Sequence, residues 1–100
     1  MRTYDRSDTV FITCLHETYD YATATWTEAD PDTGFPKVTI IDPTEEKKVD
    51  AIAMSKVATG KFQYLYEIAV DAEPKYWKGY IDVENGEYPT REYFSFKVKG

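Results

Sequence analysis

A single cysteine, Cys14, stands among the 100 residues, so no internal disulfide forms within the chain, and a small scaffold held by staples is excluded. One histidine, His16, leaves little room for metal or nucleophile chemistry: a zinc site normally takes four ligands, and a nucleophile needs a base beside it. Basic residues are scarce. Twelve Lys and Arg against eighteen Asp and Glu give a net charge of −6. That disfavours nucleic acid, whose phosphates call for clustered cations, and it disfavours anionic membrane surfaces for the same reason. The mild acidic excess reads as a solubility feature. No run approaches the ~20 apolar residues of a membrane span. The opening Met-Arg-Thr-Tyr-Asp-Arg-Ser-Asp has no apolar stretch and does not read as a signal peptide. The expected product is cytoplasmic as synthesised, or a domain cut from a longer secreted parent. No cofactor is expected.

What the chain does have is aromatic alternation. In Gly60–Val70, Phe62, Tyr64, Tyr66, Ile68 and Val70 fall at every second position, with Lys61, Gln63 and Glu67 between them. Successive side chains leave a strand on opposite faces, so this pattern predicts a half-buried strand. Further strands are predicted at Thr9–Leu15, Tyr21–Thr27, Pro36–Asp42, Val49–Met54, Tyr80–Glu84 and Glu92–Lys99. The Val49–Met54 segment is weak and suits an edge, with a short helical turn as its alternative. Glu28–Gly34 and Asn85-Gly86 are dense turn signals, Asp42-Pro43 ends a strand, and Asp71–Lys78 reads as a polar loop. In the first strand, Val10, Ile12 and Cys14 are taken as inward because cysteine is so often buried. The expected core is Val10, Ile12, Cys14, Ala24, Trp26, Val38, Ile40, Met54, Phe62, Tyr64, Tyr66, Ile68, Ile81, Val83, Phe94, Phe96 and Val98. One hundred residues make one domain, its ordered part about 9–98. About seven short strands with no amphipathic helix predict an all-β antiparallel sandwich.

The order of the segments carries a resemblance. Val38-Thr39-Ile40-Ile41-Asp42-Pro43, then Gly60-Lys61-Phe62-Gln63-Tyr64-Leu65-Tyr66, then Gly79-Tyr80, then Phe94-Ser95-Phe96-Lys97-Val98 resembles the immunoglobulin-like (Ig-like) sandwiches, in the broad sense that includes fibronectin type III-like and macroglobulin-type domains. It is similar in particular to modules of phage structural proteins and prokaryotic surface proteins. Cys14 and Trp26 match the first half of the antibody-type pattern. Asp82 stands two residues after Tyr80, where a second cysteine would be needed, so the disulfide class is excluded. The resemblance implies a fold and a structural role, possession of neither being a chemistry.

His16 reads as a strand-end surface histidine, and Cys14 as a buried apolar side chain without a flanking base. Asp30-x-Asp32-x-Gly34 opens like a calcium loop, but Ile41 stands where an EF-hand needs its closing Glu; a plain turn is the default, with a loose oxygen-ligand calcium site of Glu28, Asp30 and Asp32 as its alternative. The aromatics are the best lead. Tyr4, Tyr19, Tyr21, Tyr76, Trp77, Tyr88 and Tyr93 are expected in loops or outward, with the weak Val49–Met54 strand and the loops bearing Tyr76, Trp77 and Tyr88 as the contact surfaces. The expected function is a non-catalytic interaction module with a protein partner, in a virion or on a prokaryotic surface. The alternative is carbohydrate binding through exposed aromatics.

Overall fold

The computed structural model describes residues 2–86 and 88–99, the side chains of Asp20 and Tyr88 excepted. Among these residues there are ten strands, against the seven or so expected: β1 (Arg2–Tyr4), β2 (Thr9–Leu15), β3 (Glu17–Asp20), β4 (Thr25–Glu28), β5 (Lys37–Ile41), β6 (Lys47–Ala53), β7 (Ser55–Ala58), β8 (Lys61–Glu67), β9 (Lys75–Asn85) and β10 (Tyr88–Val98). Among the described residues there is no helix, and so none long and apolar enough to cross a membrane. The chain is all-β in several sheets. One has five strands in the order β1-β10-β9-β5-β6, a second has three in the order β2-β8-β7, and β3 and β4 form a separate pair. Every pairing is antiparallel except β1 with β10.

Period-two patterning explains the elements. β2 alternates exposed and buried residues throughout, and Val10, Ile12 and Cys14 face inward as expected. β8 pairs with it in unbroken register from Thr9↔Glu67 to Leu15↔Lys61. On the larger sheet, Val38, Ile40, Val49, Trp77, Ile81, Phe96 and Val98 face the same interior. The inward residues of both sheets therefore join in one apolar cluster, which is the principal gain offsetting chain entropy. β5 ends at Ile41, and Asp42 directly after it is buried. Its carboxylate accepts hydrogen bonds from the Thr44 N–H (2.9 Å), the Thr44 hydroxyl (2.6 Å) and the Glu46 N–H (3.0 Å). Burial alone would raise its pKa. Those bonds and the nearby Lys48 outweigh it and hold the carboxyl below its ordinary range.

The two tryptophans exchange their expected places. Trp77 was expected in an exposed loop, yet it is only 1% exposed. β9 begins at Lys75, and Trp77, Gly79, Ile81 and Val83 form its inward row. The indole stacks on Phe96 at 5.7 Å, lies 6.0 Å from the Tyr66 ring, and donates its N–H to the Glu73 carbonyl at 2.9 Å. Gly79 belongs to the same row. A Cβ there would strike the Phe94 ring and come within 2.5 Å of the Thr39 carbonyl oxygen. Trp26 was expected inside, yet it is 66% exposed, and Ala24 is exposed as well. The single strand expected over Tyr21–Thr27 is broken by a turn at residues 21–24, where Ala24 adopts a left-handed φ of 55°. That turn converts one inward-facing strand into a hairpin, β3–β4, standing outside both sheets.

Chemical denaturation separates the two indoles. Trp77→Ala should cost about 3–5 kcal/mol, as large aromatic truncations in a core do. Trp26→Ala should cost no more than about 1.5 kcal/mol, the scale of its ring contact. Equal losses would mean the two environments are misassigned.

Candidate functional site

Hairpin β3–β4 concentrates exposed aromatic surface. Tyr19 and Trp26 are cross-strand partners, and their rings meet edge to face at 5.1 Å and 69°. Tyr21, in the turn and 88% exposed, meets Tyr19 at 4.8 Å and 73°. Each such contact contributes about 0.5–1.5 kcal/mol beyond area burial. An isolated two-stranded hairpin is marginal in water, so the aromatic cluster stiffens an element that otherwise has little to hold it. Directly opposed Glu17 and Glu28 work against the pairing, although Lys61 lies 3.6 Å from Glu28.

The hairpin is fastened at its base. His16 Nδ1–H donates to the Ala29 carbonyl at 2.7 Å, and the Ala29 N–H returns to the His16 carbonyl at 3.2 Å. The His16 N–H donates to the Gly60 carbonyl at 2.7 Å. Gly60 has a φ of +73°, and a Cβ there would lie 2.6 Å from the His16 carbonyl oxygen, so only glycine lets this turn close on the hairpin neck. Asp30 locks the same junction: one carboxylate oxygen accepts the Gly60 N–H at 2.9 Å, the other Lys56 Nζ at 2.6 Å. Asp32 accepts the Gly86 N–H at 3.1 Å, and its own N–H donates to the Glu84 carbonyl at 2.8 Å. The two aspartates considered for calcium are thus spent on different turns. Among the described residues no group of three metal-ligating side chains comes together. His16 is a part-buried junction residue rather than a free surface histidine.

Beside the hairpin runs an open seam between β2 and β10. One cavity of about 450 Å³ is lined by Cys14, Glu17, Trp26, Ile81, Val83 and Glu92 among others. A second, of about 320 Å³, continues past Ile81 and Glu92 to Val10, Ile12 and Phe94. Burial pushes the Cys14 thiol pKa up, and Glu92 adds to the effect, so the thiol stays protonated and is a poor nucleophile.

The residues expected as a contact surface are not brought together. Trp77 is in the core. Tyr76 is 60% exposed with Lys97 Nζ 5.6 Å from its ring centre, on the outward face of β9. The side chain of Tyr88 lies outside the described residues. Tyr76 pairs with Lys97 and Tyr88 with Asn85, which sets them at opposite ends of the β9–β10 hairpin, roughly 30 Å apart. Tyr80 and Tyr93 make a further ring pair, but the Arg91 guanidinium covers Tyr80 at 3.9 Å and is held by Asp82 at 2.6 Å. Tyr19 and Tyr21 are outward, as expected. Trp26, which completes their cluster, was missed, because Ala22, Ala24 and Trp26 share strand parity and no Gly, Pro or Asn marks the turn.

Comparison of the chain with protein-family models, with curated proteins and with solved structures finds no match.

The Asp30 junction makes a pH prediction. The Lys56 and Gly60 hydrogen bonds hold the Asp30 carboxyl below its ordinary value of about 3.9. A depressed native pKa contributes stability that is full above the ordinary value and is lost as pH falls through the lowered one. The Gly60 amide resonance should therefore titrate with a midpoint below about 3.9. Asp30→Asn should abolish the titration, and a midpoint above that value would contradict the clamp.

Proposed function

We infer that the chain is a non-catalytic interaction module with an Ig-like sandwich architecture, contacting another protein through hairpin β3–β4 as part of a larger assembly. The observation that carries this is the exposed Tyr19–Tyr21–Trp26 cluster on an element fastened at its base and hydrogen-bonded into neither larger sheet. Tyr and Trp are enriched where interfaces need rigid, amphipathic contact area. The strand orders support the architecture. β2-β8-β7 follows the B-E-D order of Ig-like folds, and β10-β9-β5-β6 follows G-F-C-C′. The aromatic hairpin is then an insertion between strands B and C, and no described strand fills the place of strand A beside β2. The setting proposed is a virion or a prokaryotic cell surface, on the strength of the motif order from Val38 to Val98.

No residue is assigned a chemical step. Cys14 is buried with a raised pKa, and the His16 ring is tied to a carbonyl. Carbohydrate is the second reading, favoured by the exposure of Trp26 and Tyr21. The ring geometry weighs against it. Sugars stack on flat faces, whereas these rings stand at 69° and 73° to one another and build no common platform.

A glycan array and site-specific photo-crosslinking divide the two readings. A photoreactive residue at Tyr21, expressed in the source cells, should give discrete protein adducts that disappear in Trp26→Ala while the fold is retained. Specific glycan binding abolished by Trp26→Ala, with no protein adduct, would reverse the assignment.

A further inference from the structure

β2 is an edge strand without the devices that guard edges. Natural sheets blunt their edges with short strands, Lys, Pro or bulges, because an open edge templates pairing with another chain. The other described edges follow that rule. β7 is four residues long, carries Lys56 and pairs with β8 through a register break. β6 carries Lys47, Lys48 and Asp50, and its pairing with β5 is interrupted. The stretch of β10 beyond β1 carries Pro89, Arg91 and Glu92. β2, by contrast, reads Thr-Val-Phe-Ile-Thr-Cys-Leu: seven residues with no charge, no proline and no register break.

The ladder also shows which backbone groups are free. At one end of β2–β8 the His16 N–H donates to the Gly60 carbonyl, and at the other the Ile68 N–H donates to the Asp8 carbonyl, both in register with the strand pair. Even-numbered residues therefore turn their backbone groups to β8. Thr9, Phe11, Thr13 and Leu15 turn theirs to the open side. A strand added there would place alternate side chains over the seam, near Ile81 and Phe94, and the others beside exposed Phe11 and Leu15.

Charge selects the occupant. Glu17 and Glu92 line the seam with Trp26, and neither carboxylate has a hydrogen bond or ion pair among the described residues. A second copy of the chain brings another net charge of −6 to the same place. We propose that the β2 edge takes an extended segment of another protein, alternately apolar and carrying Lys or Arg, as a fourth strand of the β2-β8-β7 sheet. Its cation sits toward Glu17 and Glu92 beside Trp26. The mode is strand addition, in which main-chain bonds give affinity and alternate side chains give selectivity. The proposal rests on the interaction-module reading and adds the class of partner to it.

The probes are the peptide Thr-Val-Thr-Ile-Thr-Lys-Thr-Val-Thr and its counterpart with Glu in place of Lys. Amide exchange followed by NMR should show Phe11, Thr13 and Leu15 becoming protected by the basic peptide. The acidic peptide should bind about tenfold more weakly, with the order reversed in Glu92→Lys. Thr13→Pro removes one outward N–H, spares the ladder to β8, and should abolish binding. Glu92→Lys keeps the test decisive if the proline variant does not fold. No protection at about 1 mM basic peptide, equal binding of the two peptides, or dimerisation through β2 in sedimentation would overturn the proposal. Loss of strand addition with the Tyr21 crosslinks intact sinks the edge alone and leaves the module reading standing.

Discussion

The burial of Trp77 between the two facing sheets is the contact on which the rest of the structure depends. Its ring stacks on Phe96 of the same sheet and approaches Tyr66 of the other, so one side chain ties β9, β10 and β8 together. Its indole N–H would be costly to bury alone, and the Glu73 carbonyl satisfies it. Around it, the eleven-residue ladder of β9 and β10 holds a single register from Tyr88↔Asn85 to Val98↔Lys75. Gly79 leaves the space that the Phe94 ring occupies. A large side chain and an absent one are thus two halves of the same packing solution.

That body supports an element it does not bury. Hairpin β3–β4 is hydrogen-bonded into neither of the larger sheets, and its aromatic rings pair with one another, Trp26 also lining the seam beside Cys14 and Ile81. The molecule measures 51 × 21 × 20 Å with a radius of gyration of 15.2 Å, whereas a compact 100-residue domain has about 13 Å. Position is maintained at the neck, where His16, Asp30 and Gly60 converge. These are polar and backbone contacts, so the hairpin's placement is directional and bound to local chemistry, while the body relies on non-directional apolar burial.

The division of labour extends to the edges. Lysines, a proline and register breaks cluster on β6, β7 and the open part of β10, and β2 has none of them. The same strand that contributes Val10, Ile12 and Cys14 to the core presents bare backbone and Phe11 to the outside. Core packing and the unpaired backbone edge consequently belong to opposite faces and edges of one short segment, which limits how freely either can be altered.

Alternation alone determined much of this. The β2 strand, β8 as far as Glu67 (Val70, expected in the same row, lies in a turn and is exposed), the inward placement of Val10, Ile12, Cys14, Phe62 and Ile68, the Asn85-Gly86 turn and the end of β5 just before Asp42 follow from side-chain period and turn chemistry, which are local. The fates of the two tryptophans were decided only in three dimensions. The inward row of β9 runs Trp77, Gly79, Ile81, Val83, but glycine has no side chain to mark a face, and Pro74 with Lys75 and Lys78 gave the segment the look of a loop. The turn at residues 21–24 contains none of the usual turn residues, so a hairpin and a continuous strand have the same local pattern there. Which one forms depends on whether His16, Ala29 and Gly60, far apart in the chain, can close the neck. The aspartates of the 28–34 loop are read the same way: their spacing resembles a metal loop, and only the backbone N–H groups of Gly60 and Gly86, brought in from distant turns, show what their carboxylates hold.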